Sequence, residues 1–560
     1  MSALPDVVIA DVIVVNANVY TVDPDRPRAQ ALAISGEFII KVGSNEEVRR
    51  LASRATRVID AGGRLVVPGF NDAHVHLVMG AEELVGVDLR PSSDEGDLAR
   101  RLERHAATRP AGEWITGGYW DHEAWPGKRL PTRDRLDRVT PNHPVFVKRL
   151  DGHMAVANSL AMRLAGIDDD VVVLPGGEVM RGVDGKLTGL LKDTAMELVT
   201  RAMPPPTLGA VLRRARAALA HAASLGVTTL QDITASALEF AAYRTLDEAG
   251  ELTARISSIA NYEAHDPGAE VTSERATPSL WLRRNGRKFF ADGSMGSSTA
   301  AFFEPYTDDP GSRGLLIHEP HELEQLVGDV LDSGQQPVVH AIGDRANALV
   351  LDILERLHDR HGRAAAGRRW RPRIEHAQVV RIEDRARFKS LGVVASIQPS
   401  HCIDDMRWAE ARIGRARSAQ AYNVRSFVDA GVRVAFGTDW FVAPLNPMLG
   451  LYAAVTRQFP DGTPADGWWP QERIALTQAV ECYTRGSAYA EFAEHHKGML
   501  RAGYLADLVV LSHDLFAIPS REILETRPIL TMAGGRVVFD AGDLEIPESM
   551  SVAAASRAQH

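Results

Sequence analysis

Apolar and polar positions along the chain change rhythm twice. The leading segment places apolar residues in short runs, VIVVNANVYTV, AQALAISGEFIIKVG and TRVIDAGGRLVVPG, broken by Gly, Asn and Asp. This predicts β-strands joined by tight turns. The closing segment returns to the same style with YLADLVVLS and ILTMAGGRVVFDAG. Neither segment carries enough apolar residues to fold alone, so the pattern predicts one small β-sandwich domain formed from both chain ends, residues 1–67 and 498–545. Residues 546–560 are small and polar and read as a tail.

The middle, residues 68–497, repeats another unit: a helical stretch, a glycine, a short apolar strand, then a polar residue. AALAHAASLGVTTLQD turns at Gly226, ELEQLVGDVLDSGQQPVVH at Gly334, RARFKSLGVVASIQP at Gly392 and SFVDAGVRVAFGTD at Gly431. In the second of these, Leu323, Leu326, Val327, Val330 and Leu331 share one helix face, and Gly334 stands where a helix C-cap belongs. Helices alternating with strands predict a parallel sheet covered by helices. Strands that each end on His, Gln or Asp suit a (β/α)8 TIM-like barrel, whose chemistry sits at the C-terminal strand ends. The expected fold class is therefore α/β. Residues 112–206 break the rhythm with GGYWDHEAWPGKRLP, KRLDGHMAVANSL and GGEVMRGVDGKLTGLLKD, and read as an insertion over the barrel mouth.

Composition narrows the function. The 560 residues are 45% hydrophobic and 24% charged, which suits a normal globular core. A net charge of −10 supplies no basic surface for nucleic acid. No apolar run reaches the length of a membrane span, and the N-terminus lacks a basic region before its apolar stretch. With only two cysteines, disulfides do not organise the chain, and a cytoplasmic location is expected.

The chemistry begins at GFNDAHVHL. His74 and His76 are two residues apart, so at a strand end both imidazoles face one side and can chelate a metal. Asp72 would support that turn. VVHAIGD presents His340, RIEHAQVV presents His376 and VAFGTDW presents Asp439, each closing an apolar run. A barrel would gather all five into one mouth, which favours a metal site over isolated structural histidines.

With these residues in view, the chain resembles the amidohydrolase superfamily, and within it the YtcJ-like group that includes N-substituted formamide deformylase. H-x-H with the later His, His and Asp carries the superfamily likeness, and ADGSMGSSTA with HAIGDRA the narrower one; GGRLVVPGFNDAHVHL, IEHAQ, FGTDW and KGMLRAGYLADLVVLS extend the resemblance over nearly the whole chain. The resemblance implies metal-dependent hydrolysis of a non-peptide C–N bond by a metal-activated hydroxide, on an N-substituted amide or formamide. It implies His74, His76 and Asp439 at the more buried of two zinc-type ions and His340 and His376 at the other. Lys288, carboxylated by carbon dioxide to a carbamate, would bridge them, with Lys192 as a rival. It gives Asp439 the proton transfers. Substrate contacts are expected from His153, Tyr119, Trp120, Arg181, Asp344 and Gln398. Cys402 has no activating partner in the sequence and is not read as a nucleophile.

Alternative reactions on this scaffold are deamination, cyclic-amide opening and carbamate or ester hydrolysis. HAIGDRA offers Asp344 rather than the glutamate that single-metal deaminases of the superfamily use, which ranks deamination lower. A non-catalytic scaffold would show gaps in the ligand set, and there are none. The expected partner is a small-molecule substrate, and the resemblance adds a homo-oligomer, dimer or tetramer.

Overall fold

The structure, a computed structural model, describes residues 9–172, 177–262, 279–361 and 370–544. The tail of residues 546–560 lies outside the described residues. The chain forms two compact units: one gathers the chain up to His76 with Leu219–Asp439 and the stretch from Ala443; the other is Leu77–Ala218 with Trp440–Val442.

The first unit is built on eight parallel strands: β1 Phe70–Val75, β2 Val227–Ala235, β3 Arg255–Asn261, β4 Leu282–Phe290, β5 Gln336–Ala341, β6 Arg373–His376, β7 Val394–Ile397 and β8 Arg433–Phe436. Each pairs with the next in chain order. The sheet curls until its ends meet. The Asp439 N–H, just past β8, donates to the His74 carbonyl in β1 at 2.6 Å. Gly437 permits this approach, because a Cβ there would stand 2.5 Å from the His74 nitrogen and 2.9 Å from Asp72 Oδ1. The barrel expected from the helix–glycine–strand rhythm is thus present. Gly226, Gly334, Gly392 and Gly431 all have φ between 67° and 77°, the left-handed conformation that ends a helix before each following strand. The helix Pro320–Asp332 buries Leu323, Val327, Val330 and Leu331, the face that the apolar spacing marked.

Both chain ends meet in one sheet of this unit. Its order is Arg536–Asp540, Pro528–Ala533, Leu508–Leu511, Leu65–Pro68, Asn18–Tyr20 and Arg28–Ala29. Val66 and Val67 lie opposite Val510 and Val509. A second sheet, containing Val12–Val15, Ala31–Ser35, Phe38–Gly43 and Arg57–Asp60, packs against it through Val14, Ile34, Ile59, Leu508, Val510 and Met532. Arg255 at the start of β3 is 2% exposed and grips Asp507 with two hydrogen bonds, 2.8 and 3.0 Å, so the barrel and the sandwich share a buried ion pair.

The second unit holds a mixed six-stranded sheet running from Val87–Asp88 to Gly177–Arg181, with Ile115–Trp120, Val145–Arg149, Met154–Ala157 and Leu187–Asp193 between. Its core is formed by Leu98, Leu102, Trp120, Trp125, Val147 and Leu190.

Candidate metal centre

The site is built at the C-terminal ends of the barrel strands. On β1, Asp72 and His74 are fully buried, and His76 follows the strand. The Asp72 carboxylate accepts the Thr438 N–H (2.9 Å), the Thr438 hydroxyl (2.7 Å) and the His74 N–H (3.1 Å). It thereby ties β1 to the segment carrying Asp439. Burial raises the pKa of Asp72 to about 7 against the pull of those donors.

Each neighbouring histidine spends one ring nitrogen on a protein oxygen. His74 Nδ1 lies 2.6 Å from Glu375 Oε2, His76 Nδ1 2.9 Å from Thr234 Oγ1, and His376 Nδ1 2.8 Å from Gln398 Oε1. The carboxylate and amide oxygens accept, so His74 and His376 carry their proton on Nδ1 and leave Nε2 as the ligand atom. His74 Nε2 and His76 Nε2 then stand 3.3 and 3.2 Å from the same Asp439 Oδ1. The Nε2 atoms of His74 and His401 and the Asp439 Oδ1 are buried without a hydrogen-bond partner. Buried polar atoms seldom go unsatisfied, and two imidazole nitrogens beside a carboxylate with such an oxygen fit a cation site. Among the described residues, two sets of side chains converge closely enough to hold a cation: His74, His76 and Asp439, and His376, His401 and Asp439. Nitrogen and oxygen donors of this kind suit zinc and other first-row divalent ions.

Electrostatics agree with that use. Burial lowers the pKa of His76, His376 and His401, keeping imidazoles neutral as ligands must be. For His74 burial acts downward, but Asp439 and Glu375 outweigh it and the net shift is upward. Burial would raise Asp439, yet His74 and His76 hold its carboxyl well below the usual range. Backbone strain gathers here too: Thr234, His376, Ala377 and Asp439 have φ of 85°, 71°, 41° and 58°. Such conformations cost ~1–3 kcal/mol each and persist where surrounding structure fixes them. At Thr234 the strain coincides with a register shift in β2, which turns the hydroxyl onto His76.

Behind His74 lies a buried network. Arg373 and Glu375 are 0% exposed. Arg373 donates to Glu375 (2.8 and 3.2 Å), Gln231 (2.5 Å), the Ala73 carbonyl (2.6 Å) and Ser396 (3.3 Å). Strand alternation would send Glu375 and His376 to opposite faces. The positive φ at His376 breaks the alternation and brings both to one centre.

Lys288, near the end of β4, is 1% exposed, with Nζ 4.9 Å from the Phe290 ring centre. Its positive charge acts on His74, His76, Glu375 and His376. His340 packs against His376, ring centres 4.5 Å apart, but its Nε2 faces the Gly293 carbonyl at 3.0 Å, so a ligand role would fall to Nδ1. Gln398 orients His376. Asp344 accepts the Phe303 N–H at 2.9 Å. Four of the expected substrate contacts belong to the second unit. His153 Nδ1 lies 2.9 Å from Asp193 Oδ1. Tyr119 donates to the Met79 carbonyl (3.1 Å) and fully buried Trp120 to the Val147 carbonyl (3.0 Å). Arg181 donates to the carbonyls of Gly185 and Asp169. Lys192, the rival lysine, pairs with Glu178 at 2.8 Å. Burial raises Cys402 to about 11, so it is no ready nucleophile.

Sequence reasoning passed over His401, Glu375, Arg373, Thr234 and Asp292. His401 sits in IQPSH on the helix Pro399–Asp405, three residues beyond Gln398, and that position after a strand end was the available signal. Asp292 accepts the N–H groups of Ala301, Ile342 and Gly343 at 2.8, 3.0 and 2.8 Å, joining the loops after β4 and β5. Burial raises its pKa to about 7, above the ordinary unfolded value of ~3.9. The native state therefore binds the extra proton. In metal-free protein, the stability of wild type over Asp292→Asn is expected to be fullest below pH ~4 and to fade as pH rises to about 7. Urea unfolding across that range checks it, and a difference independent of pH would refute the assignment.

A parallel barrel with imidazoles and a carboxylate gathered at its C-terminal strand ends is the scaffold of a metal-dependent hydrolase. The chain belongs to the Amidohydrolase family, whose model matches residues 57–539. Among curated relatives, it is 34% identical to Protein LONG AFTER FAR-RED 3 of Arabidopsis thaliana, covering 96% of this chain and 92% of that protein. It is 28% identical to the putative amidohydrolase YtcJ of Bacillus subtilis (93% and 98% covered). It is 29% identical to N-substituted formamide deformylase of Arthrobacter pascens (95% and 98%). The solved structure of an uncharacterized metal-dependent hydrolase from Pyrococcus horikoshii superposes with a TM-score of 0.74 at 26% identity, covering 91% of this chain and 99% of that one. The likeness to the YtcJ and formamide-deformylase group, expected from the motifs, is borne out. Among the described residues no helix is long and apolar enough to cross a membrane.

Proposed function

We propose that the chain hydrolyses a non-peptide C–N bond of an N-substituted amide or formamide, using a divalent metal, zinc by preference. The observation that carries this reading is the pair His74 and His76, each anchored through Nδ1, with both Nε2 atoms directed at Asp439 Oδ1 (3.3 and 3.2 Å). The relative named N-substituted formamide deformylase supports the choice of bond. His74, His76 and Asp439 would hold one ion. His376 would serve a second, with His340 through Nδ1 and Lys288 as a carbamate between them. A cation in this cage supplies Lewis-acid activation of water and carbonyl.

The chain's own residues do the rest. Asp439 accepts the proton of the attacking water. As the C–N bond breaks, it returns that proton to the leaving nitrogen, so that amide and water become a carboxylic acid and an amine. Glu375 and Thr234 keep the His74 and His76 imidazoles aimed. Asp344 and Gln398 are the substrate-side candidates of the barrel and His153 and Arg181 those of the second unit, whose Tyr119 and Trp120 are fully buried with their polar atoms on backbone carbonyls.

The test is a panel of N-substituted formamides, acetamides, cyclic amides, esters and aminopurines, offered to protein expressed with zinc and bicarbonate. Amine release from formamides, lost on dialysis against a chelator and restored by zinc, is the expected outcome. Turnover that survives metal removal would refute the mechanism. Turnover confined to esters or to ammonia release would refute the proposed bond.

A further inference from the structure

The second set of converging side chains contains a residue that neither the strand-end pattern nor the family likeness supplied. We propose that His401 is a ligand of the second ion, together with His376, and that Asp439 is shared between the two ion positions; this rests on the metal-dependent reading above.

Two donors bound to one ion at about 2.1 Å can stand no more than about 4.2 Å apart. His401 Nε2 lies 4.0 Å from Asp439 Oδ2, and one ligand atom from each of His376, His401 and Asp439 lies within 4.8 Å of the others. His74 and His76 face the other oxygen, Oδ1. The carboxylate thus presents Oδ1 to His74 and His76 and Oδ2 to His401.

The His401 Nε2 is buried with no hydrogen-bond partner. The ring is stacked parallel to that of His376, 16° between planes and 6.2 Å between centres. The start of its helix is tied to the same residue that orients His376: the His401 N–H donates to the Gln398 carbonyl at 3.1 Å, and the Gln398 side chain fixes His376. A histidine kept only for packing would not leave Nε2 unsatisfied beside a carboxylate; a ligand would.

The experiment is metal titration of the full-length chain with Co2+ alone, followed by visible absorption, with Zn2+ content measured by elemental analysis. Wild type should take up about two ions per chain. His401→Ala should keep the first and bind the second more weakly by over ~100-fold, beyond the cost of losing an outer partner. His401→Asp, which restores an oxygen donor, should recover the second ion. If His401→Ala fails to fold by circular dichroism, His401→Gln takes its place with the same expectation. Two ions bound unchanged in the Ala or Gln variant, or a single ion in wild type, would overturn the inference while leaving a metal-dependent hydrolase standing. Wild type binding none would overturn both readings.

Discussion

Asp439→Asn is expected to lower amide hydrolysis by ~10²–10⁴-fold, the range associated with removing a positioned acid–base group. The substitution preserves shape and removes charge. That charge answers His74 and His76 through Oδ1, and it raises the pKa of His74 against burial. An amide in its place cannot take a proton from water, and it offers the imidazoles a neutral oxygen. The strained backbone at Asp439, φ 58°, is held by the Asp439 N–H to the His74 carbonyl and by Thr438 on Asp72, none of which needs the Asp439 side chain. The variant should therefore fold normally, with an unchanged circular dichroism spectrum. Hydrolysis within tenfold of wild type would remove Asp439 from the chemistry.

The largest effect on stability is expected from Arg373→Ala. Arg373 and Glu375 are both fully buried, and Arg373 supplies five hydrogen bonds across β1, β2, β6 and β7. Burial would raise the Glu375 pKa, but Arg373 and then His74 pull it below the ordinary range. Removing the guanidinium leaves a buried carboxylate with His74 as its remaining partner, so the loss should be ~3–5 kcal/mol. Urea unfolding of metal-free protein measures it. Replacing both partners by Arg373→Met with Glu375→Leu should cost less than the single change, because no charge is left uncompensated. The double variant should still bind metal more weakly, since His74 loses the carboxylate that sets its tautomer. A single variant as stable as wild type would show that the pair does not brace the barrel.

Much of this was legible in the chain because local rules agreed with the fold. Helix faces such as Leu323–Val327–Val330–Leu331 and the left-handed glycines at 226, 334, 392 and 431 obey periodicity and backbone sterics, which act over a few residues. His74 and His76 were legible for the same reason, since strand alternation alone puts them on one side. The residues that escaped are those whose placement violates local rules or depends on distant partners. Glu375 shares a centre with His376 only because φ turns positive at His376. Thr234 reaches His76 through a break in the β2 register. His401 lies on a helix rather than a strand, and reaches Asp439 only because β7 and β8 are neighbours in the barrel. His340 ends a strand as the pattern says, yet the loop after β4 offers its Nε2 the Gly293 carbonyl, a long-range contact no spacing announces.

The central claim is that the barrel's strand ends form a metal cage around Asp439. Elemental analysis of the purified chain, wild type beside His74→Ala/His76→Ala, tests it most directly. Stoichiometric zinc or a like divalent ion is expected in wild type, with loss of at least one ion in the double variant and folding preserved. Wild-type protein that carries no tightly bound metal after growth and reconstitution with zinc, or a double variant that retains the full complement, would contradict it.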